Sequence, residues 1–155
     1  MKATATYDDA NLILKLYDLR REDKMRVARK WVVAMPALHS REEWLKLCPP
    51  GSEENAYFRM VTTYWEMAAS FVVTGVLNRE LFYRANNLEL LVVWEKIKRF
   101  VAEQRAFVKD PLRYKQIEEV AQGFVEYLNQ NAPGFYENWA AGMARPAQPV
   151  AAASR

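Results

Sequence analysis

The sequence predicts an all-α fold, a compact irregular bundle of about six or seven helices around a central apolar helix at about 52–74. Three observations carry this expectation. Glycine is scarce, with five residues, while Leu, Ala, Glu, Lys and Arg are plentiful, a balance that favours helices over turn-rich β structure. Apolar residues recur at three- and four-residue spacings through most of the chain. Proline and glycine signals such as Pro36, Pro49-Pro50-Gly51 and Pro133-Gly134 fall between those patterns. With 155 residues, 51% apolar and 26% charged, the chain matches one domain that needs no disulfide or metal support. That domain is read as residues 1–144, followed by a disordered tail at 145–155 made of Ala, Pro, Gln, Val, Ser and Arg.

Taken in order, Asp8 or Asp9 caps a first helix through about Leu19, with Leu12, Leu16 and Leu19 at near-helical spacing. Met25, Ala28, Val32 and Met35 form one face of a second helical pattern, which Pro36 stops. No Gly or Pro separates the two, so one long helix and a sharply bent pair are both open. Ser40-Arg41-Glu42-Glu43 reads as a capping box in front of Trp44, Leu45 and Leu47. Cys48-Pro49-Pro50-Gly51 ends that short helix, and Ser52 caps the central one. The central pattern has two apolar faces, Tyr57, Met60, Tyr64, Met67 and Phe71 beside Phe58, Val61, Trp65, Ala69 and Val72, with Gly75 as its stop.

Asn78 caps a turn of helix holding Leu81 and Phe82. Asn87 begins a long helix through about Phe107, with Leu90, Leu91, Trp94, Ile97 and Val101 inward and a Glu95–Arg99 pair outside. Asp110-Pro111 reads as the start of the next helix, which buries Ile117, Val120, Ala121, Phe124 and Leu128. A last short segment carries Phe135, Tyr136 and Trp139.

The inventory of reactive groups is thin. Cys48 is alone, which excludes an intramolecular disulfide and a multi-cysteine zinc site. The single histidine, His39, sits in a polar linker and reads as a surface residue. The chain has no glycine-rich phosphate loop, no Gly-x-Ser-x-Gly elbow and no His-Glu-x-x-His pair, so neither catalytic residues nor a cofactor or metal site is expected. The first nine residues hold no apolar stretch, and the longest nearly apolar run, Met67 to Leu77, is far short of the roughly 18 residues of a spanning helix. A cytoplasmic location without a membrane span is the expectation.

Two polar features stand out. Arg59, Thr63, Glu66 and Ser70 form a stripe along the central helix, with Tyr64 beside it. Such a stripe faces solvent, or pairs Glu66 with Lys98 or Arg105, or lines a cleft for a small polar ligand. The second feature is charge. Seven basic residues against three acidic ones occupy Lys15 to Lys30, whereas residues 116–142 hold four glutamates and no Lys or Arg. Arg20, Arg21, Lys24 and Arg29 are the candidate contacts for an anion or a nucleic-acid backbone, although Glu22 and Asp23 interrupt the run and nucleic acid is not favoured.

Three stretches are familiar together: Asn11-Leu12-Ile13-Leu14-Lys15-Leu16-Tyr17 with Leu19-Arg20-Arg21; Ser52 to Arg59 running into Tyr64-Trp65-Glu66-Met67-Ala68-Ala69; and Phe100-Val101-Ala102-Glu103 with Arg105. The chain resembles a family of small, all-helical bacterial proteins of unknown function over about Tyr7 to Val120. The resemblance implies a bacterial, cytosolic helical domain and brings no activity with it. It adds weight to Arg59, Tyr64 and Glu66.

Function is therefore read from what is left over. Five tryptophans and seven phenylalanines are a generous supply for a core of this size, which suggests a non-enzymatic module that self-associates or binds another protein. The alternatives are a small-ligand or regulatory domain using the stripe at Arg59 and Glu66, and anion binding through the basic N-terminal helices.

Overall fold

The computed structural model describes residues 4–85 and 87–144, and among them it contains nine helices and no strand. The segment 145–155, read as a tail, lies outside the described residues. None of the described helices is long and apolar enough to cross a membrane.

Helix α1 (Tyr7–Arg21) has its cap two or three residues earlier than the aspartates suggest. Thr6 is the cap. The Asp9 amide donates to Thr6 Oγ1 at 3.3 Å, and the Asp9 carboxylate accepts from the Thr6 amide at 2.7 Å, a reciprocal box with Asp9 inside the helix. The other Asp9 oxygen accepts from the Asn78 amide at 2.6 Å. Thr6 and then Asn78 hold the Asp9 carboxyl below its ordinary range.

The inward stripe of α1 runs Asp9, Ile13, Leu16 and Arg20, at spacings of four, three and four. Leu19, though at near-helical spacing from Leu16, lies off that stripe and is 49% exposed, and the inward position is taken by Arg20. At Glu22 (ψ 139°) the chain turns into α2 (Asp23–Ala34), and the Glu22 carboxylate accepts from the Met25 amide at 3.0 Å. The two patterns are thus a bent pair. The predicted face of the second, Met25, Ala28, Val32 and Met35, is buried.

Helix α3 (Arg41–Leu47) is capped by Ser40, but Glu43 reaches the His39 amide at 2.8 Å instead of closing the box on Ser40. Helix α4 (Glu53–Val73) is capped by Ser52 and stopped at Gly75, whose φ of +78° suits a residue without Cβ. It lies between α2 and α8, its two principal neighbours. Phe58, Val61, Trp65, Ala69 and Val72 are all buried, whereas Met67 of the other face reaches solvent. Asn78 caps α5 (Arg79–Arg84), its side-chain oxygen accepting from the Leu81 amide at 2.9 Å.

The expected helix from Asn87 to Phe107 is two: α6 (Leu88–Ile97) and α7 (Val101–Val108). A competing hydrogen bond explains the break. The Lys96 carbonyl accepts from the Leu38 amide of the α2–α3 connection at 2.7 Å, and the Phe100 amide turns to Ile97 at 3.0 Å. Phe100 then packs, fully buried, among Trp44, Phe58 and Tyr114. The Glu95–Arg99 pair is absent. Glu95 bonds Lys98 and the Tyr136 hydroxyl, and Arg99 meets His39 at 2.7 Å.

Helix α8 (Lys115–Asn131) begins four residues beyond Pro111, because Asp110 caps only a single turn, through the Leu112 amide at 2.9 Å. Tyr114 then adopts a left-handed conformation (φ 58°) that no helix continues through. Helix α9 (Phe135–Ala144) lays Tyr136 and Trp139 against the body.

Candidate anion-binding cleft at Arg20

The bend at Glu22 brings the C-terminal turn of α1 beside α2, and the first residues of α6, Leu88 and Glu89, share a cavity wall with both. Arg29 of α2 grips Glu89 of α6 with its Nε at 2.8 and 2.9 Å and its Nη2 at 2.5 Å. Its Nη1 donates at 3.0 Å to the Arg20 carbonyl, one of the last-turn carbonyls of α1 that lacks a helical partner. Trp65 of α4 donates its indole N–H to Glu89 at 3.2 Å. Tyr64, next to it, donates to the Leu16 carbonyl at 2.8 Å, and burial pushes its phenol up to about 12. One carboxylate therefore ties α2, α4 and α6, and one arginine ties α1 to that knot. The hydrogen bond that Arg29 donates to Glu89 holds its guanidinium firmly protonated, above its already high ordinary value.

Arg20 sits on this scaffold without a counter-ion among the described residues. Its side chain points along the inward stripe of α1, and the residue is only 9% exposed. The guanidinium carbon lies 5.2 Å from the Trp65 ring centre and 5.6 Å from that of Tyr17, so the charge rests on aromatic faces. Its buried Nε has no hydrogen-bond partner among the described residues. Arg20, Arg21 and Arg29 together line a cavity of about 520 Å³, with Tyr17, Leu88 and Glu89 in the same wall. Glu89 is already saturated by Arg29 and Trp65. The remaining charge in the cleft is that of Arg20 and Arg21, and it is positive. The Arg29–Glu89 pair also borders a second, more open cavity edged by Asp23, Arg26 and Lys30.

Of the four residues proposed from the sequence as anion contacts, the fold brings Arg20, Arg21 and Arg29 into one wall; Lys24 is exposed and lines neither cavity. The stripe on α4 is dispersed. Arg59 and Thr63 are exposed, and Thr63 spends its hydroxyl on the Arg59 carbonyl at 2.6 Å. Ser70 does the same toward Met67. Glu66 pairs with neither Lys98 nor Arg105: it accepts from the amides of Gln116 and Ile117 at 3.1 and 3.0 Å, capping α8 from a different helix. Arg105 is held by Glu118 and the Arg113 carbonyl instead. None of Arg59, Thr63, Tyr64 and Glu66 borders either cavity.

His39 is exposed between Glu43 and Arg99. Cys48 is wholly buried, and its thiol is pushed up to about 11 by burial, then by the charge of Glu54. Sequence reasoning missed Glu89 and Trp65 as parts of the site. The available signal was Arg20 itself, an arginine in helical register with Ile13 and Leu16.

Fold and cleft define a small all-helical domain with a cationic recess at the junction of three helices. Residues 5–124 match the family described as Domain of unknown function (DUF4760), and the chain belongs to that family. The matched span begins just before α1 and ends inside α8, leaving α9 outside it. No curated protein and no solved structure matches the chain significantly.

Proposed function

We propose that the protein is a non-enzymatic binding module that takes a small ligand bearing a carboxylate or phosphate group in the cleft at Arg20. The observation that carries this reading is a nearly buried guanidinium with neither a counter-ion nor a partner for its Nε among the described residues. An unpaired buried charge is costly, and aromatic stacking offsets only about 0.5–2 kcal/mol of that cost. An incoming anion supplies the missing counter-ion. Arg21 stands beside it, while Tyr17 and Leu88 give the ligand an apolar surface to lie on.

Thermal unfolding of wild type and Arg20→Met in phosphate, acetate and benzoate, at matched ionic strength, tests the reading. An anion at one hundred times its Kd stabilises the folded state by about 2.7 kcal/mol, several degrees in Tm, and Arg20→Met abolishes that rise. Without ligand, Arg20→Met is expected to match or exceed wild-type stability, because it removes an uncompensated buried charge. Equal shifts in both proteins, or none beyond the ionic-strength control, overturn the proposal.

A second reading, docking to another protein or to a second copy, is favoured by the apolar end of α7. Phe107 is 61% and Leu112 68% exposed, and Val108 lies between them in sequence. Light scattering across a dilution series decides it: concentration-dependent mass that Phe107→Ser abolishes supports docking, and a monomer at every concentration removes self-association.

A further inference from the structure

The end of α4, α5 and α8 enclose a cavity of about 440 Å³ that is separate from the Arg20 cleft. This volume is in the range of small-molecule sites. Its walls are apolar where Val72, Leu77 and Tyr127 face it. Tyr83 is 7% exposed, stacked on Phe124 with ring centres 4.6 Å apart and tilted against Tyr127 at 5.3 Å. Its hydroxyl is buried beside the Arg79 guanidinium and, among the described residues, has no hydrogen-bond partner. A buried hydroxyl in that condition costs the fold free energy unless something else satisfies it.

Gly123 makes the room. A Cβ built there lies 2.6 Å from Tyr83 Oη and 3.2 Å from Arg79 Nη1, so any side chain displaces the hydroxyl. Because α8 is otherwise regular here, the glycine answers to space around Tyr83 rather than to backbone conformation. The charge in this cavity differs from that at Arg20: Arg79 is paired with Glu119 at 3.2 Å, and Glu126 stands on the rim. An anion is disfavoured there. A neutral group with an acceptor for Tyr83 and an N–H donor for Glu126 is favoured.

We propose that this cavity is a second ligand site, for a small uncharged planar ring carrying an amide or lactam. The ring lies against Tyr127, Val72 and Leu77, the carbonyl accepts from the Tyr83 hydroxyl, and the N–H points to Glu126. Burial holds the Tyr83 phenol above its ordinary value, so it stays protonated and able to donate at neutral pH.

Saturation-transfer NMR on the full chain, with benzamide and pyridone as probes, tests the site. Transfer is expected with wild type and, unchanged, with Arg20→Met, which separates this site from the anion cleft. Tyr83→Phe keeps the ring and its packing but loses one neutral hydrogen bond, and is expected to weaken binding about fivefold. Gly123→Ala is expected to abolish it. The double variant Gly123→Ala with Tyr83→Phe relieves the clash, and it controls for folding without restoring the donor. Absence of transfer to both probes, or equal binding by wild type and Tyr83→Phe, overturns the proposal.

Discussion

Replacing Glu89 by alanine is expected to lower the unfolding free energy by about 3 kcal/mol, because it strands the Arg29 guanidinium and the Trp65 indole N–H together. The pair is mostly shielded, with side-chain exposures of 27% for Arg29 and 13% for Glu89, so solvent recovers only part of the loss. For a domain of this length the change corresponds to a Tm drop of about 6–12 °C. Glu89→Gln keeps one acceptor and falls between the two. A joint replacement, Arg29→Met with Glu89→Leu, is expected to recover much of the loss, since a shielded ion pair is no more stabilising than apolar groups of similar volume. Urea unfolding of the four proteins measures this. A loss under about 1 kcal/mol in Glu89→Ala means the pair behaves like an exposed one and does not hold the junction.

Glu66→Ala is expected to cost about 2 kcal/mol, the value of a helix cap whose two hydrogen bonds are charge-assisted. Tyr114 offers α8 no side-chain cap of its own. Burial raises the Glu66 carboxyl above its ordinary 4.5, against the opposing pull of the Ile117 and Gln116 amides and of Arg105 and Arg113. The folded protein therefore holds this proton more tightly than the unfolded chain does. The resulting stabilisation is fully present below the unfolded value and is lost as pH rises through the folded one. Glu66→Gln lacks that dependence, so the stability of wild type relative to Glu66→Gln is expected to fall as pH rises from 4.5 to neutrality. Chemical denaturation at several pH values follows this difference, and a constant one shows that Glu66 keeps an ordinary carboxyl.

What the sequence discloses is what neighbours along the chain determine. The buried face of α2 and the cap at Ser52 follow from local spacing and local hydrogen bonds, and both are found as expected. The breaks and the site depend on distant partners. Nothing near Lys96 signals that Leu38 will take its carbonyl, and nothing near Asp110 signals that Tyr114 will turn left-handed while a glutamate 50 residues away caps the helix. Arg20 is the instructive middle case. Its position in register with Leu16 is visible, but its charge assigns it to the solvated run around it. Only the rings of Trp65 and Tyr17, from α4 and α1, make the buried position tolerable.

The enclosure of Cys48 gives the molecule a built-in clock. Its sulfur belongs to a residue with no exposed surface at the junction of α3 and α4, where the Asn55 amide closes over the Cys48 carbonyl at 3.2 Å. It is also the chain's only thiol. Alkylating reagents therefore report openings of the α3–α4 hairpin that expose this thiol, global unfolding included, because a thiol held at about 11 in the closed form hardly reacts. Where reclosing is faster than modification, the labelling rate relative to a free cysteine is the open fraction of that hairpin. Measured with and without a ligand at either cavity, it reads how far occupancy at a distance tightens this corner, with no substitution or dye added to the chain.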